Sequence, residues 1–209
     1  MRLFVIGASG GVGRCLLERG AARGHAITAQ SRSGNGLVPG AALHVVKGEP
    51  TDAPFLRQHM TGHDAVVFCL GIDSRAPTTL FSDTTAAVVE AMDAAGLRRL
   101  VAVTGIGAGD STGHGGLVYN RIIFPLFTRN RYLDKDRQEG MIERSRLDWT
   151  IVRPAPFART SGAGPLRVVT QIPPGLQLRR VTRQEVAGFI LDCLEKVSFL
   201  RQKPFIGHE

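Results

Sequence analysis

Short apolar runs recur along this chain, separated by stretches whose apolar positions fall at helical spacing. The runs Leu3–Ile6, Ala26–Ser31, Leu43–Lys47, Ala65–Leu70, Arg99–Thr104 and Trp149–Arg153 have the length and the β-branched content of buried strands. After the first of them, Val12, Cys15, Leu16 and the stem of Arg19 recur at helical spacing. The stretch from Thr79 to Ala95 puts Phe81, Thr85, Val88, Met92 and Ala95 on one stripe, with Gly96 as a stop. Thr182-Arg183-Gln184-Glu185 spells a capping box, and Val186, Phe189, Ile190 and Cys193 follow as the inward face of a last helix. Strands that alternate with helices predict an α/β protein built on a doubly wound parallel sheet, in three layers α/β/α.

The alternation breaks between Pro154 and Val181, where Gly and Pro dominate and Pro173-Pro174-Gly175 reads as a turn between two short extended pieces. Such an excursion is expected on the substrate side of a single domain spanning residues 1–209. Lys203-Pro204-Phe205-Ile206-Gly207 is expected to add a short strand at the sheet edge, where Pro is tolerated.

Chemistry enters at the first turn. Leu3–Ile6 runs directly into Gly7-Ala8-Ser9-Gly10-Gly11-Val12-Gly13-Arg14. Gly7 permits a tight turn off the strand, Gly10 lets a pyrophosphate approach the backbone, and Gly13 lets the helix pack against the sheet. The unpaired N–H groups and positive dipole end of the helix then converge on an anion. No Walker lysine follows, which argues against a nucleoside triphosphatase.

Composition narrows the class further. A chain of 209 residues with 43% hydrophobic content can bury one substantial core. No apolar run approaches bilayer length, and no signal peptide precedes the first strand, so no membrane association is expected. Cys15, Cys69 and Cys193 lie in apolar stretches without metal or disulfide spacing and read as buried thiols of a cytoplasmic protein. The six histidines show no ligand spacing, so no metal is expected. A formal charge of +8 is spread over scattered arginines, which suits an anionic dinucleotide better than nucleic acid.

An acidic residue about 20 positions beyond the glycines would mark the NAD-binding version of this unit. Here the second strand ends Ala29-Gln30-Ser31-Arg32-Ser33, without an acid. Arg32 reads as a ligand for a 2′-phosphate or as a solvated loop arginine, and Arg14 as a second ligand or a solvent-facing side chain. The first alternative predicts NADP(H) in preference to NAD(H). Glu49 reads as an adenine contact or a turn residue, while Asp52 reads as the cap of the next helix. At the end of the fourth strand, Leu70-Gly71 would let backbone approach the cofactor at the switch point of the sheet.

With these features placed, together with Thr104-Gly105 and Trp149-Thr150-Ile151-Val152-Arg153-Pro154, the chain resembles an atypical short-chain dehydrogenase/reductase. It is similar to the NAD(P)H-binding group that includes NmrA-like proteins and the biliverdin reductase B/flavin reductase type. The resemblance implies a Rossmann fold and NADP binding. It places Gly7, Ser9, Gly10, Gly11, Val12 and Gly13 on the pyrophosphate loop, Arg32 at the 2′-phosphate, and Glu49 where the family usually has aspartate. Pro154, Ala155 and Pro156 fall near the nicotinamide, and Lys135 falls at about the active-site lysine, against the cofactor ribose.

The departures concern catalysis. Ordinary members carry Tyr-x-x-x-Lys, in which the lysine lowers the tyrosine pKa for proton exchange with the substrate oxygen. Here Arg131 stands four residues before Lys135, and Tyr132 stands three before it. Tyr132 therefore reads as a general acid out of register, or as a packing or surface residue. The usual serine after the fifth strand is absent, leaving the Thr104 hydroxyl near its place, available or satisfied by backbone. Lys135 and Glu139 form an i, i+4 pair that reads as a solvated bridge. From Tyr119 to Arg137 aromatic and arginine residues interleave, as in an amphipathic lid or interface, or a seat for a flat anionic substrate such as a flavin phosphate.

These readings favour an NADPH-dependent reductase of a conjugated small-molecule acceptor, such as a flavin, quinone or carbonyl compound, working as a monomer or homodimer. Such hydride transfer depends mainly on orientation, which accommodates the missing tyrosine register. The alternative is an NADP(H)-binding redox sensor without turnover, in the NmrA manner. Sugar-nucleotide or isoflavone-type chemistry fits less well, because the excursion from Pro154 to Val181 leaves little room for a large substrate domain.

Overall fold

The computed structural model describes residues 1–74, 76–109 and 129–209. In chain order the elements are β1 (Arg2–Ile6), α1 (Gly11–Ala22), β2 (Ala26–Ser31), β3 (Leu43–Lys47), α2 (Ala53–Met60), β4 (Ala65–Phe68) and α3 (Leu80–Ala94). Then follow β5 (Arg99–Val103), α4 (Arg129–Arg144), β6 (Asp148–Pro154), β7 (Arg167–Val169), α5 (Arg183–Glu195) and β8 (Phe205–Gly207). They form an 8-stranded sheet in the order β3-β2-β1-β4-β5-β6-β8-β7. All pairings are parallel except the antiparallel β7–β8 pair. This is a doubly wound Rossmann-type α/β sheet whose order reverses between β1 and β4.

The alternation of side chains along β1 explains the layers. Leu3 and Val5 point to one face, where they pack with Val12, Leu16 and Leu17 of α1 and Val186, Ile190 and Leu191 of α5. Phe4 and Ile6 point to the other, against Leu56 and Met60 of α2, Val88 and Met92 of α3 and Ile142 of α4. The central strands are buried on both faces, so they read as continuous apolar runs. Helix starts follow the expected chemistry. Asp52 caps α2 by accepting from the Phe55 N–H, and Thr182 and Glu185 close a reciprocal capping box on α5. The α3 stripe is buried at Phe81, Thr85, Val88 and Met92.

Several expectations change. The closing strand is not an edge: β8 inserts between β6 and β7, and β7 forms that edge of the sheet. Pro204 stands just before β8, where its missing N–H costs nothing and its carbonyl accepts from Arg153 N at 2.9 Å. The turn at Pro173-Pro174-Gly175 is present, closed by Leu176 N donating to the Pro173 carbonyl. No helix bridges β2 and β3 among the described residues, because Gly34, Asn35, Gly36 and Pro39 break the connection. Cys15 is half-buried, unlike Cys69 and Cys193. Tyr119, Arg121, Phe124 and Phe127 lie outside the described residues; the rest of that interleaved stretch, from Arg129, opens α4. No helix of the described residues is long and apolar enough to cross a membrane.

Candidate active site

The turn after β1 is held in shape by a residue of β2. Gly7 takes a positive φ of 76°, and its N–H donates to the Gln30 side-chain oxygen at 3.2 Å. The Gln30 amide nitrogen donates to the Gly48 carbonyl at 2.7 Å, so one buried glutamine ties the ends of β1 and β3 together. A side chain at Gly7 would place its Cβ 2.7 Å from the Leu70 Cα, and one at Gly13 would place it 2.5 Å from the Gly7 carbonyl oxygen. These glycines thus serve backbone contacts across the switch point. Helix α1 begins with Gly10 as its cap and receives no side-chain cap, so its first N–H groups face the crevice.

The rim is organised by polar contacts. Ser31 donates to the Ser9 hydroxyl at 3.1 Å and accepts from Gly34 N at 3.2 Å. Arg14, exposed at the rim, donates to the carbonyls of Ser9, Asn35 and Gly36 and pins the β2–β3 loop to the glycine turn. Arg32 is exposed beyond β2, and the Lys47 stem from the end of β3 lies beside Gly34, adding a second cation at this end. Glu49 is exposed, with its carbonyl closing a turn onto Asp52 N at 3.2 Å.

From the glycine turn a cleft of about 570 Å³ runs past Leu70 and Gly71 to Thr104, Tyr132 and Lys135. There it shares Thr104, Tyr132 and Phe157 with a smaller recess of about 130 Å³, whose remaining walls are Gly105, Ile106, Pro154, Ala155 and Pro156. The Thr104-to-Ala108 segment is steered by β6, since Thr104 N and Ile106 N donate to the Val152 and Pro154 carbonyls. Tyr132 lies within α4 and reaches the recess over two glycines. A Cβ at Gly105 would lie 2.9 Å from the Tyr132 hydroxyl oxygen, and one at Gly107 would lie 3.2 Å from its ring. The helix extends back to Tyr132, so its hydroxyl and the Lys135 amine come from positions three apart that line one cleft.

Two sequence readings are overturned here. Glu139 is no surface partner of Lys135: it is 1% exposed and receives Arg153 Nε at 3.1 Å, a second Arg153 guanidinium N–H, and the Thr104 hydroxyl at 2.6 Å. The Thr104 hydroxyl accordingly gives its proton to Glu139 and not to backbone. Lys135 donates to the Val103 and Thr104 carbonyls at 3.3 and 3.0 Å and sits 4.7 Å from the centre of the Phe81 ring. Burial, helped by Arg131 and opposed by Glu139 and Asp134, pushes its amine down to about 8. Asp134 anchors the same helix by accepting from Phe81 N and Ser82 Oγ at the start of α3.

The Lys135 shift has a sign that can be read from unfolding. Below about pH 8 both folded and unfolded chains hold the proton; between about 8 and 10.5 only the unfolded chain does. Wild-type stability should therefore rise across that window relative to K135M, which lacks the titration. Urea unfolding of both proteins at the two ends of the window checks this, and a constant difference contradicts it.

Sequence reading missed Gln30, Phe157, Arg183 and the pair Glu139–Arg153. Arg183 lies across Gly11 and 4.9 Å from the Phe157 ring centre; its capping-box neighbours in the chain give no signal of that contact. Among the described residues no cluster of His, Cys, Asp or Glu has metal-site geometry.

A parallel sheet with a glycine turn and uncapped helix at its switch point, opening into a cleft, defines a Rossmann-type dinucleotide-binding protein. Residues 7–196 match the NAD(P)H-binding family, and the chain belongs to it. The Saccharomyces cerevisiae UPF0659 protein YMR090W is 28% identical over 93% of this chain and 87% of its own length. The Bacillus subtilis protein named as uncharacterized sugar epimerase YhfK is 26% identical over 94% and 89%. A wide-type short-chain dehydrogenase/reductase from Veillonella parvula, solved with NADP, shares the fold with a TM-score of 0.78 and 21% identity over 99% of this chain and 94% of that one.

Proposed function

We propose that this protein is an NADPH-dependent reductase that passes a hydride to a conjugated acceptor, such as a flavin, quinone or carbonyl compound. The observation that carries the reading is the small recess of Thr104–Ile106, Tyr132 and Pro154–Phe157, continuous with the cleft that begins at the glycine turn. Its position across the sheet matters. From β2, which ends beside Arg32, to β6, which ends at the recess, the order is β2-β1-β4-β5-β6. At about 4.8 Å per strand spacing this spans about 19 Å, suited to an extended dinucleotide.

The fit is supported by the turn itself, where Gly7 and Gly13 bring backbone so close that a Cβ at either would clash with Leu70 or with the turn's own carbonyls. In this reading Ser9, Gly10, Gly11 and Val12 line the pyrophosphate, Arg32 and Lys47 hold the 2′-phosphate, and Glu49 borders the adenine. Leu70 and Gly71 offer backbone along the middle of the cleft. Lys135, fixed by two carbonyls, faces the ribose, and Pro154, Ala155 and Pro156 back the nicotinamide. Residues 154–181 form the acceptor side of a single domain. The bound nucleotide supplies the hydride. Tyr132 supplies a hydroxyl to the acceptor oxygen or nitrogen, beside a lysine whose amine is pushed down to about 8 by burial. The Glu139–Arg153 pair holds Thr104 and the recess wall and exchanges no proton with the acceptor.

Cofactor choice tests the Arg32 end. NADPH should bind at least about 10-fold more tightly than NADH, and R32A should remove most of that preference, since charge-assisted contacts to phosphate are the strong ones. Fluorescence titration of both nucleotides checks this; equal affinities, or an R32A variant that keeps the preference, contradicts it.

A further inference from the structure

Arg183 is the first residue of α5, exposed at the mouth of the cleft, and its side chain crosses the first turn of α1. A Cβ on Gly11 would lie 2.4 Å from Arg183 Nε and 2.5 Å from its Cδ, so a side chain at Gly11 would push this arginine off its present path. Its guanidinium carbon lies 4.9 Å from the centre of the Phe157 ring. No carboxylate pairs with Arg183 among the described residues, although Glu185 stands two positions on. That acid is engaged by Thr182, Ser161 and His208.

We propose that Arg183 is the cofactor's pyrophosphate clamp: a guanidinium delivered from α5, standing in for the cation that the glycine loop itself lacks. Loops of this kind offer N–H groups and a helix dipole, which together hold a phosphate without neutralising it. A planar guanidinium laid over Gly11 adds a full charge and paired donors within the same cleft. Its stack on Phe157 gives the contact a second consequence. Phe157 lines both the cleft and the small recess, so an arginine drawn onto the pyrophosphate sets one wall of the acceptor pocket. The Ser161–His208–Glu185 contacts hold the segment after Phe157 against the start of α5, which keeps the arginine and the aromatic ring in one frame.

This assignment rests on the cofactor reading above. Titration of NADPH and of adenosine 2′-monophosphate, which lacks the pyrophosphate, into wild type, R183A and R183K tests it without any acceptor present. R183A should weaken NADPH about 10-fold and leave adenosine 2′-monophosphate unchanged, with R183K in between and the thermal stability of the free proteins alike. G11A should weaken NADPH as well, and adding it to R183A should cost less than it does in wild type, because both changes remove one contact. Unchanged NADPH affinity in R183A overturns the clamp, as does equal weakening of both nucleotides. A wild-type protein that binds no NADPH removes the cofactor reading itself, an outcome distinct from each of these.

Discussion

Replacing Glu139 with alanine should cost about 3–5 kcal/mol of folding stability, which is the range for removing one member of a buried ion pair. The reason is the group left behind. Arg153 is 1% exposed, and its guanidinium gives two donors to Glu139, so the truncation takes two charge-assisted bonds from a buried guanidinium between α4 and β6. The Thr104 hydroxyl loses its acceptor in the same step. Against a typical total of 5–15 kcal/mol, that is a large fraction. Urea unfolding measures it, and E139Q, which keeps an acceptor, should lose less. Replacing both partners, as in E139M/R153M, should recover part of the loss, since the guanidinium goes together with the carboxylate that accepts from it. A loss below about 1 kcal/mol in E139A would contradict the burial described here.

The second large effect is expected at Gly13. A methyl group there meets the Gly7 and Ala8 carbonyl oxygens at 2.5 and 2.6 Å and the Ala8 Cα at 2.7 Å. These are backbone atoms of the phosphate-binding turn, so relief requires the turn itself to open. G13A should lose about 1–3 kcal/mol of stability through overpacking and bind NADPH on the order of 100-fold more weakly, about 2.8 kcal/mol. G40A is the matched control, because nothing lies within 4 Å of a Cβ at that position. Its NADPH affinity should equal that of wild type. An affinity in G13A within threefold of wild type would contradict a phosphate site on this turn.

What was legible in the sequence is what depends on local chemistry. The apolar runs gave the strands of the parallel sheet because burial on both faces leaves no polar alternation to confuse them. Thr182 and Asp52 marked helix starts because capping needs only neighbours in the chain. Gly7 and Gly13 pointed to the switch point because tight turns and close packing restrict those positions to glycine. The chemical end was less legible, because its contacts are tertiary. Glu139 stands four residues from Lys135 and looks like a surface partner until β6 brings Arg153 beneath it. The chain after β5 shows only that the usual serine is absent, and the use of Gly105 and Gly107 emerges once α4 lays Tyr132 over them. Arg183 lies far along the chain from the loop it crosses, and nothing in its own neighbourhood says so. The misplacement of β8 has the same origin: a short strand beside a proline suits an edge, and only its pairing with β6 and β7 sets it inside the sheet.

We propose that this chain turns over NADPH and does not merely hold it. The most direct measurement is acceptor-dependent NADPH oxidation with a flavin, a quinone and a conjugated carbonyl compound, run alongside NADPH deuterated at the hydride-bearing carbon. Saturable oxidation with at least one of these acceptors, slowed by the deuterium, is the expected result. Confirmed NADPH binding with no acceptor-dependent oxidation would contradict it.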